Sequence, residues 1–207
     1  MPQQHPPVSL FQSHLPEKAI SYCLRLWEES PFLVKVKPPR TSKLGDFRYR
    51  KGHSLQTITL NADLNPYQFL LTLIHEIAHL RAFTTYGTMH APHGKEWKSL
   101  FKQLVAPLLS ESIFPIDLLV PLRLHMNNPS ASATRDLFLM KEMSKYDTNN
   151  IANPFSFLAD LGPETHFELA GRRFTKKESR RTLVLCVEME SGKKFLVSRL
   201  AKVIPLP

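Results

Sequence analysis

Two cysteines, Cys23 and Cys186, are all that the 207 residues hold. Neither a disulfide framework nor a four-cysteine zinc module can be built from one such chain, and so few thiols fit a reducing cytosol. No apolar run approaches the roughly 20 residues that a membrane-spanning helix needs. The opening stretch, MPQQHPPVSLFQSHLPE, is too polar and too rich in proline for a secretory h-region. These absences lead us to expect a soluble, cytoplasmic protein with no membrane partner. Internal repeats are lacking, and the one low-complexity stretch is the polar, small-residue segment LHMNNPSASATRD. Acidic residues are in the minority, 18 against 27 basic ones, giving a net charge of +9 and a pI near 9.7. An anionic partner such as nucleic acid agrees with that excess, and so does plain solubility.

What is present suffices for one medium domain and a smaller one, with an ordinary hydrophobic content of 43%. Residues 1–14 read as a flexible start. Pro16 and Glu17 then suit the first turn of a helix, where a missing N–H is harmless and a carboxylate meets the positive dipole end. Ala19, Ile20, Cys23, Leu26 and Trp27 recur at helical spacing and mark a packing face. Phe32–Val36, the stretch SKLGDFRY and Thr57–Leu60 read as three short strands, broken by Pro38-Pro39 and Lys51-Gly52. Asn65-Pro66 is a strong helix start, an N-cap followed by proline at N1.

The helix so begun contains LIHEIAHL, residues 73–80. Residues four apart on a helix point within about 40° of each other, so His75 and His79 leave one face a turn apart. Two neutral imidazoles so placed grip one zinc ion. Glu76 points about 100° away, beside the metal, where a carboxylate holds and deprotonates a zinc-activated water. The bland reading, three satisfied polar groups on a packing helix, is weak, because burying them unpaired costs several kcal/mol. A catalytic zinc takes three protein ligands and leaves a fourth position for water. Position 85 is Thr85, so no histidine stands six residues after His79, and the candidates for the third ligand are His90 and His93. Both lie in TTYGTMHAPHG, a loop leading to a second helix from Lys95 to about Leu109.

LNPYQFLLTLIHEIAHLRAF followed by HGKEWKSLF resembles the SprT-like metallopeptidase family, which includes the Spartan-type proteases that digest proteins crosslinked to DNA. In that family the H-E-x-x-H helix is followed by a histidine-glycine pair that opens the next helix, with an aromatic residue three positions after the glycine. His93-Gly94 and Trp97 match. The resemblance implies that His75, His79 and His93 hold one zinc ion and that Glu76 is the catalytic base, with His90 the runner-up as third ligand. It covers roughly residues 15–125 and implies short antiparallel strands before the zinc helix, one of which lines the cleft. The activity implied is zinc-dependent endopeptidase cleavage of a protein or peptide by an activated water. Tyr86 and Arg81 are candidates to stabilise the oxyanion, against a structural role for each.

The chain departs from the family in having no cysteine-rich zinc ribbon. Residues 126–154 read as a linker with a short helix near Leu137–Tyr146, and residues 155–207 as a small β-rich basic unit. Strands at Thr182–Val187 and Lys194–Val197 join in a hairpin at Ser191-Gly192. Cys186 reads as a buried small hydrophobe. Arg172-Arg173, Lys176-Lys177 and Arg180-Arg181 cluster around an expected turn, where they either grip nucleic-acid phosphates, with Phe174 as a stacking face, or form a solvated basic hairpin.

The fold expected is α+β, a minimal zincin-type core of helices and a small sheet followed by the β-rich unit. The leading function is a zinc metallopeptidase acting on protein, DNA-associated protein included. The alternative is a nucleic-acid-binding module whose zinc site is vestigial or structural, which the presence of Glu76 disfavours. A third reading keeps the zinc and lets the linker around Asn127–Thr134 bring the tail over the cleft.

Overall fold

The computed structural model describes residues 5–40, 43–88, 91–129, 136–147 and 155–207. It is an α+β protein that divides into two compact units, residues 1–131 with 142–146 and residues 132–141 with 147–207. Among the described residues no helix is long and apolar enough to cross a membrane.

The first unit starts with two helices, α1 (Val8–His14) and α2 (Glu17–Glu29). The start expected to be flexible is thus helical from Val8. Phe11 anchors it by burying completely, and the His14 ring lies 4.7 Å from that of Phe69. On α2 the buried residues are Ala19, Cys23, Leu26 and Trp27, the face expected from helical spacing.

Three strands follow, β1 (Phe32–Lys37), β2 (Gly45–Arg48) and β3 (Gln56–Asn61), in the spatial order β1-β3-β2. The expectation of an antiparallel sheet holds for β2 and β3, whereas β1 and β3 run parallel. The reason is connectivity. β2 and β3 form a local hairpin, and the residues before β2 return the chain so that β1 reaches β3 from its other side.

Cross-strand partners share a face, so the register sorts the sheet into two sides. Val34, Ile58 and Phe47 stand together on one side, next to Val36, Leu60 and Gly45. Ile58 and Leu60 are fully buried there, and Phe47 meets Phe83 of the long helix α3 (Pro66–Tyr86). The other side carries Lys35, Thr59 and Asp46 in one row, with Arg48 and Lys37 in the flanking rows.

The α3 helix starts as its sequence dictates: the Asn65 side chain accepts from the N–H groups of Tyr67 and Gln68 at 3.1 and 3.0 Å, and Pro66 opens the first turn. It ends at Gly87, whose positive φ of 63° suits glycine, with its N–H on the Phe83 carbonyl. Nearly every side is buried, including Phe69, Leu70, Leu73, Ile74, Ile77 and Ala78, so α3 is the central element of the unit. Helix α4 (Lys95–Val105) follows and tightens into a 3-10 turn at Ala106–Leu108, where Pro107 stands. Helix α5 (Ile116–Asn127), which the sequence reading did not separate from its surroundings, buries Leu118, Leu119 and Leu122. A short helix, α6 (Leu137–Ser144), falls where one was expected. Residues 130–135 of the expected linker and residues 148–154 of the Asp147–Pro154 loop lie outside the described residues.

The second unit is a six-stranded sheet, β4 (Ser156–Phe157), β5 (His166–Leu169), β6 (Arg172–Ser179), β7 (Leu183–Glu188), β8 (Lys194–Ser198) and β9 (Lys202–Pro205). All its pairings are antiparallel, in the order β4-β9-β5-β6-β7-β8. Ala170 and Gly171, both at positive φ, form the two-residue turn that joins β5 to β6. Leu158, Phe167, Phe174, Val184, Cys186 and Val203 form its core.

Candidate metal centre

Helix geometry brings the Nε2 atoms of His75 and His79 to 3.1 Å from each other. The third corner comes from the loop before α4. His93 Nε2 lies 2.9 Å from that of His79 and 3.2 Å from that of His75. Among the described residues these three form a group able to hold a metal ion. His90, the runner-up for the third position, lies outside the described residues.

Local backbone explains how His93 reaches in. Its φ is 58°, in the left-handed region that histidine tolerates better than bulky or branched residues. The next residue, Gly94, caps α4, and its N–H bonds to the Ala91 carbonyl at 2.9 Å. A Cβ at Gly94 would lie 3.0 Å from that same carbonyl oxygen, so glycine keeps this turn tight. One turn into α4, Trp97 is fully buried and forms the floor of the site. Its ring centroid is 4.6 Å from that of His75, 5.3 Å from that of His79 and 4.7 Å from that of His93, and Phe101 stacks beneath it at 4.9 Å.

Electrostatics favours the ligand form of the imidazoles. Burial first, then the charges of His79, His93 and the buried His125, hold the His75 pKa well below the usual histidine value, so the ring is neutral at physiological pH. Three nitrogens with converging lone pairs are a donor set for a cation. Tetrahedral zinc at about 2.0–2.1 Å from each nitrogen needs nitrogen separations of about 3.3 Å, close to those found. The residues therefore fit a zinc ion.

Glu76 is buried beside this triangle. Burial, with Asp46 adding to it, pushes its carboxyl up to about 8, while the Phe47 N–H, which donates to the carboxylate, and the cations of Lys43 and Arg40 act against the shift. The β2 strand can come this close because residue 45 is glycine. A Cβ there would lie 2.6 Å from Thr72 Cγ2 and 2.7 Å from Glu76 Oε1. Sequence reasoning recognised the SKLGDFRY strand and missed that its glycine and the Phe47 amide serve Glu76. The close approach of Gly45 is tertiary and has no local signature.

Arg81 pairs with Glu29 at 2.5 Å, and Tyr86 is partly exposed near the end of α3.

The SprT-like family matches residues 23–114. This part of the chain is an SprT-like domain. The match takes in α2 from Cys23 onward, the sheet, α3, α4 and all three histidines, and it makes the domain metallopeptidase-like. Neither a curated protein nor a solved structure is matched by the chain.

Outside the SprT-like domain, the basic residues of the tail are placed on strand β6 and at the bend after it, rather than all around one turn. Phe174 packs in the core between Phe167 and Phe195 and is only 4% exposed, so it offers no stacking face. Strand alternation also turns Lys176 inward, where Nζ donates to the carbonyls of Leu158 and Leu161 at 3.0 and 2.5 Å. Arg172 pairs with Glu188 and lies over the Phe195 ring, and Lys177 pairs with Glu164 at 2.5 Å. Arg173, Arg180 and Arg181 are exposed.

Proposed function

We propose that the SprT-like domain is a zinc-dependent endopeptidase. The observation that carries this is the triangle of Nε2 atoms at 2.9–3.2 Å with the Glu76 carboxyl held alongside. Zinc bound there supplies the Lewis acidity that makes water acidic enough to attack at neutral pH and that polarises a peptide carbonyl. Glu76 accepts the proton of the attacking water and hands it to the leaving amine. A carboxyl raised to about 8 has the basicity for both steps, and the positive charge of a bound metal keeps it ionised in use.

Support for a peptide as substrate comes from β2. It is an edge strand, and the bond from the Asn61 N–H to the Leu44 carbonyl sets the alternation that points Gly45 and Phe47 main-chain groups away from β3. An extended substrate laid along this edge finds main-chain partners next to Glu76 and is read through its backbone more than through its side chains.

Two measurements on purified protein test the reading. Metal analysis by mass spectrometry is expected to find about one zinc per chain. A Glu76→Gln variant is expected to keep that zinc and lose proteolysis of a denatured protein substrate. If wild type takes up no zinc when it is supplied, or if Glu76→Gln cleaves like wild type, the proposal fails.

A further inference from the structure

Aromatic residues gather beside the edge strand of the sheet. Along β2 the residues turned to α3 alternate, Gly45 and then Phe47, and Tyr49 continues the same parity just past the strand. Phe83 meets them from α3, its ring 6.1 Å from that of Phe47 and 4.2 Å from that of Tyr49. Phe83 follows Glu76 by two helical turns, so the two leave one face of α3 about 10 Å apart along its axis. Gly45 lies beside Glu76, and Phe47 and Tyr49 lie beside Phe83, so β2 runs along the helix from the Glu76 carboxyl to the aromatic cluster. Phe47 belongs to both ends: its N–H donates to the carboxylate and its ring opens the cluster. The cluster is not closed over. Phe47 and Phe83 are half-buried and Tyr49 is 48% exposed. The chain after Tyr49 is held in place, because the Arg50 N–H donates to Gln56 Oε1 at 2.6 Å and Gln56 Nε2 donates to the carbonyls of Arg50 and His53 at 3.3 and 3.1 Å.

We infer that Phe47, Tyr49 and Phe83 form a subsite that takes one aromatic or large aliphatic side chain of an extended peptide laid along β2. This subsite rests on the endopeptidase reading of the same cleft and adds a side-chain preference to it. Half-open rings offer a new ring faces and edges to pack on, and a large aliphatic side chain gains from the same apolar surface. A lysine or arginine side chain would also find a ring face. However, Arg48 precedes Tyr49 and Arg50 and Lys51 follow it, so a second cation is repelled there. An acidic side chain would give up its hydration against three rings. The other side of the sheet, where Lys35, Lys37 and Arg48 stand and Arg40 donates to Thr59 Oγ1 at 3.1 Å, takes no part. Side chains on one face of an extended chain recur about every 7 Å. With Phe83 about 10 Å along α3 from Glu76, the residue that fills the subsite stands roughly two to four positions from the bond that is cut.

The test has a binding arm and a cleavage arm, both on the full chain with zinc supplied. Binding is read with the Glu76→Gln chain by fluorescence anisotropy of a labelled, unstructured peptide of alanine and serine with one central phenylalanine. That peptide is expected to bind about tenfold more tightly than its counterpart with alanine there, the low end of what apolar pockets discriminate. Leucine at that position is expected to keep most of the gain, and lysine or aspartate to keep none. Adding Tyr49→Ala, with an unchanged circular dichroism spectrum, is expected to reduce the preference to about twofold, and Tyr49→Phe to retain it. In the cleavage arm, mass spectrometry of the products of the wild-type chain is expected to place the cut roughly two to four residues from the phenylalanine. Equal binding of the phenylalanine and alanine peptides, a preference that survives Tyr49→Ala, or tighter binding of the lysine or aspartate peptide overturns the subsite. Phenylalanine-selective, Tyr49-dependent binding without cleavage by wild type keeps the subsite and sinks the endopeptidase reading. Cleavage with no such preference does the reverse.

Discussion

Gly45 and Glu76 face each other so closely that a methyl group on the glycine would sit 2.7 Å from the carboxylate Oε1. Below 3.0 Å something has to move, and the neighbours, Thr72 and Glu76, stand on the buried central helix. Gly45→Ala is therefore expected to push β2 or the Glu76 side chain aside, at a stability cost of about 1–3 kcal/mol. His93 is on another element, and His75 and His79 leave a neighbouring face of α3 rather than the one Gly45 meets, so zinc content should stay near wild type. Peptidase activity should drop on the order of 100-fold, as displacements of about 1 Å do. Parallel zinc analysis and turnover measurements check this, and loss of zinc would show that the substitution disturbs more than Glu76.

The proposed third metal ligand gives a sharper contrast. His93→Ala removes one corner of the nitrogen triangle and is expected to weaken zinc binding by roughly 100-fold or more, beyond the effect of losing an outer-shell partner. His90→Ala is expected to leave it within a few-fold of wild type. Competition with a chromophoric chelator measures both. A His90 variant that loses the metal while the His93 variant keeps it would reverse the assignment.

In the tail, Lys176 supports the fold. Lys176→Met retains the apolar stem and deprives the Leu158 and Leu161 carbonyls of their donor. A loss of about 2 kcal/mol or more is expected, since each buried group left unsatisfied costs about 1–3 kcal/mol. Urea denaturation followed by far-ultraviolet circular dichroism at a strand wavelength reads this, since residues 155–207 hold neither tryptophan nor tyrosine, and an unchanged midpoint would mean that water serves the carbonyls equally well.

The two thiols set a pH dependence. Burial pushes Cys23 up to about 12 and Cys186 up to about 11, from an ordinary value of 9.0. Above pH 9 the unfolded chain releases these protons while the folded chain keeps them. Their contribution to stability is thus complete below pH 9 and is lost as the pH rises towards 11–12. Cys23→Ala is expected to flatten the fall of the urea midpoint between pH 8 and 10 relative to wild type. At pH 8 neither thiol should react with iodoacetamide until denaturant is added.

Much of this protein was legible before its structure. The signal was strongest where it was local. Asn65-Pro66 starts the helix through contacts two or three residues away, and the spacing of His75 and His79 fixes their common face whatever the helix packs against. The strands and the hairpin at Ser191-Gly192 were readable for the same reason. Alternation even held the clue to Phe174 and Lys176, which share parity on β6, but a run of basic residues invites a reading as surface.

Tertiary structure alone decided the rest. The parallel pairing of β1 with β3, the approach of Gly45 to Glu76 and the spread of Lys35, Lys37, Arg40 and Arg48 over one face all depend on which strand neighbours which. The third corner of the histidine triangle depends likewise on how a loop returns to α3, with His93 in a backbone conformation that no spacing rule reveals. A helix carries its geometry in the repeat of its own backbone, so the sequence by itself determined that His75 and His79 share a face and that Glu76 stands beside it. A sheet and a returning loop are closed by contacts between distant residues, so only folding determined what stands around them.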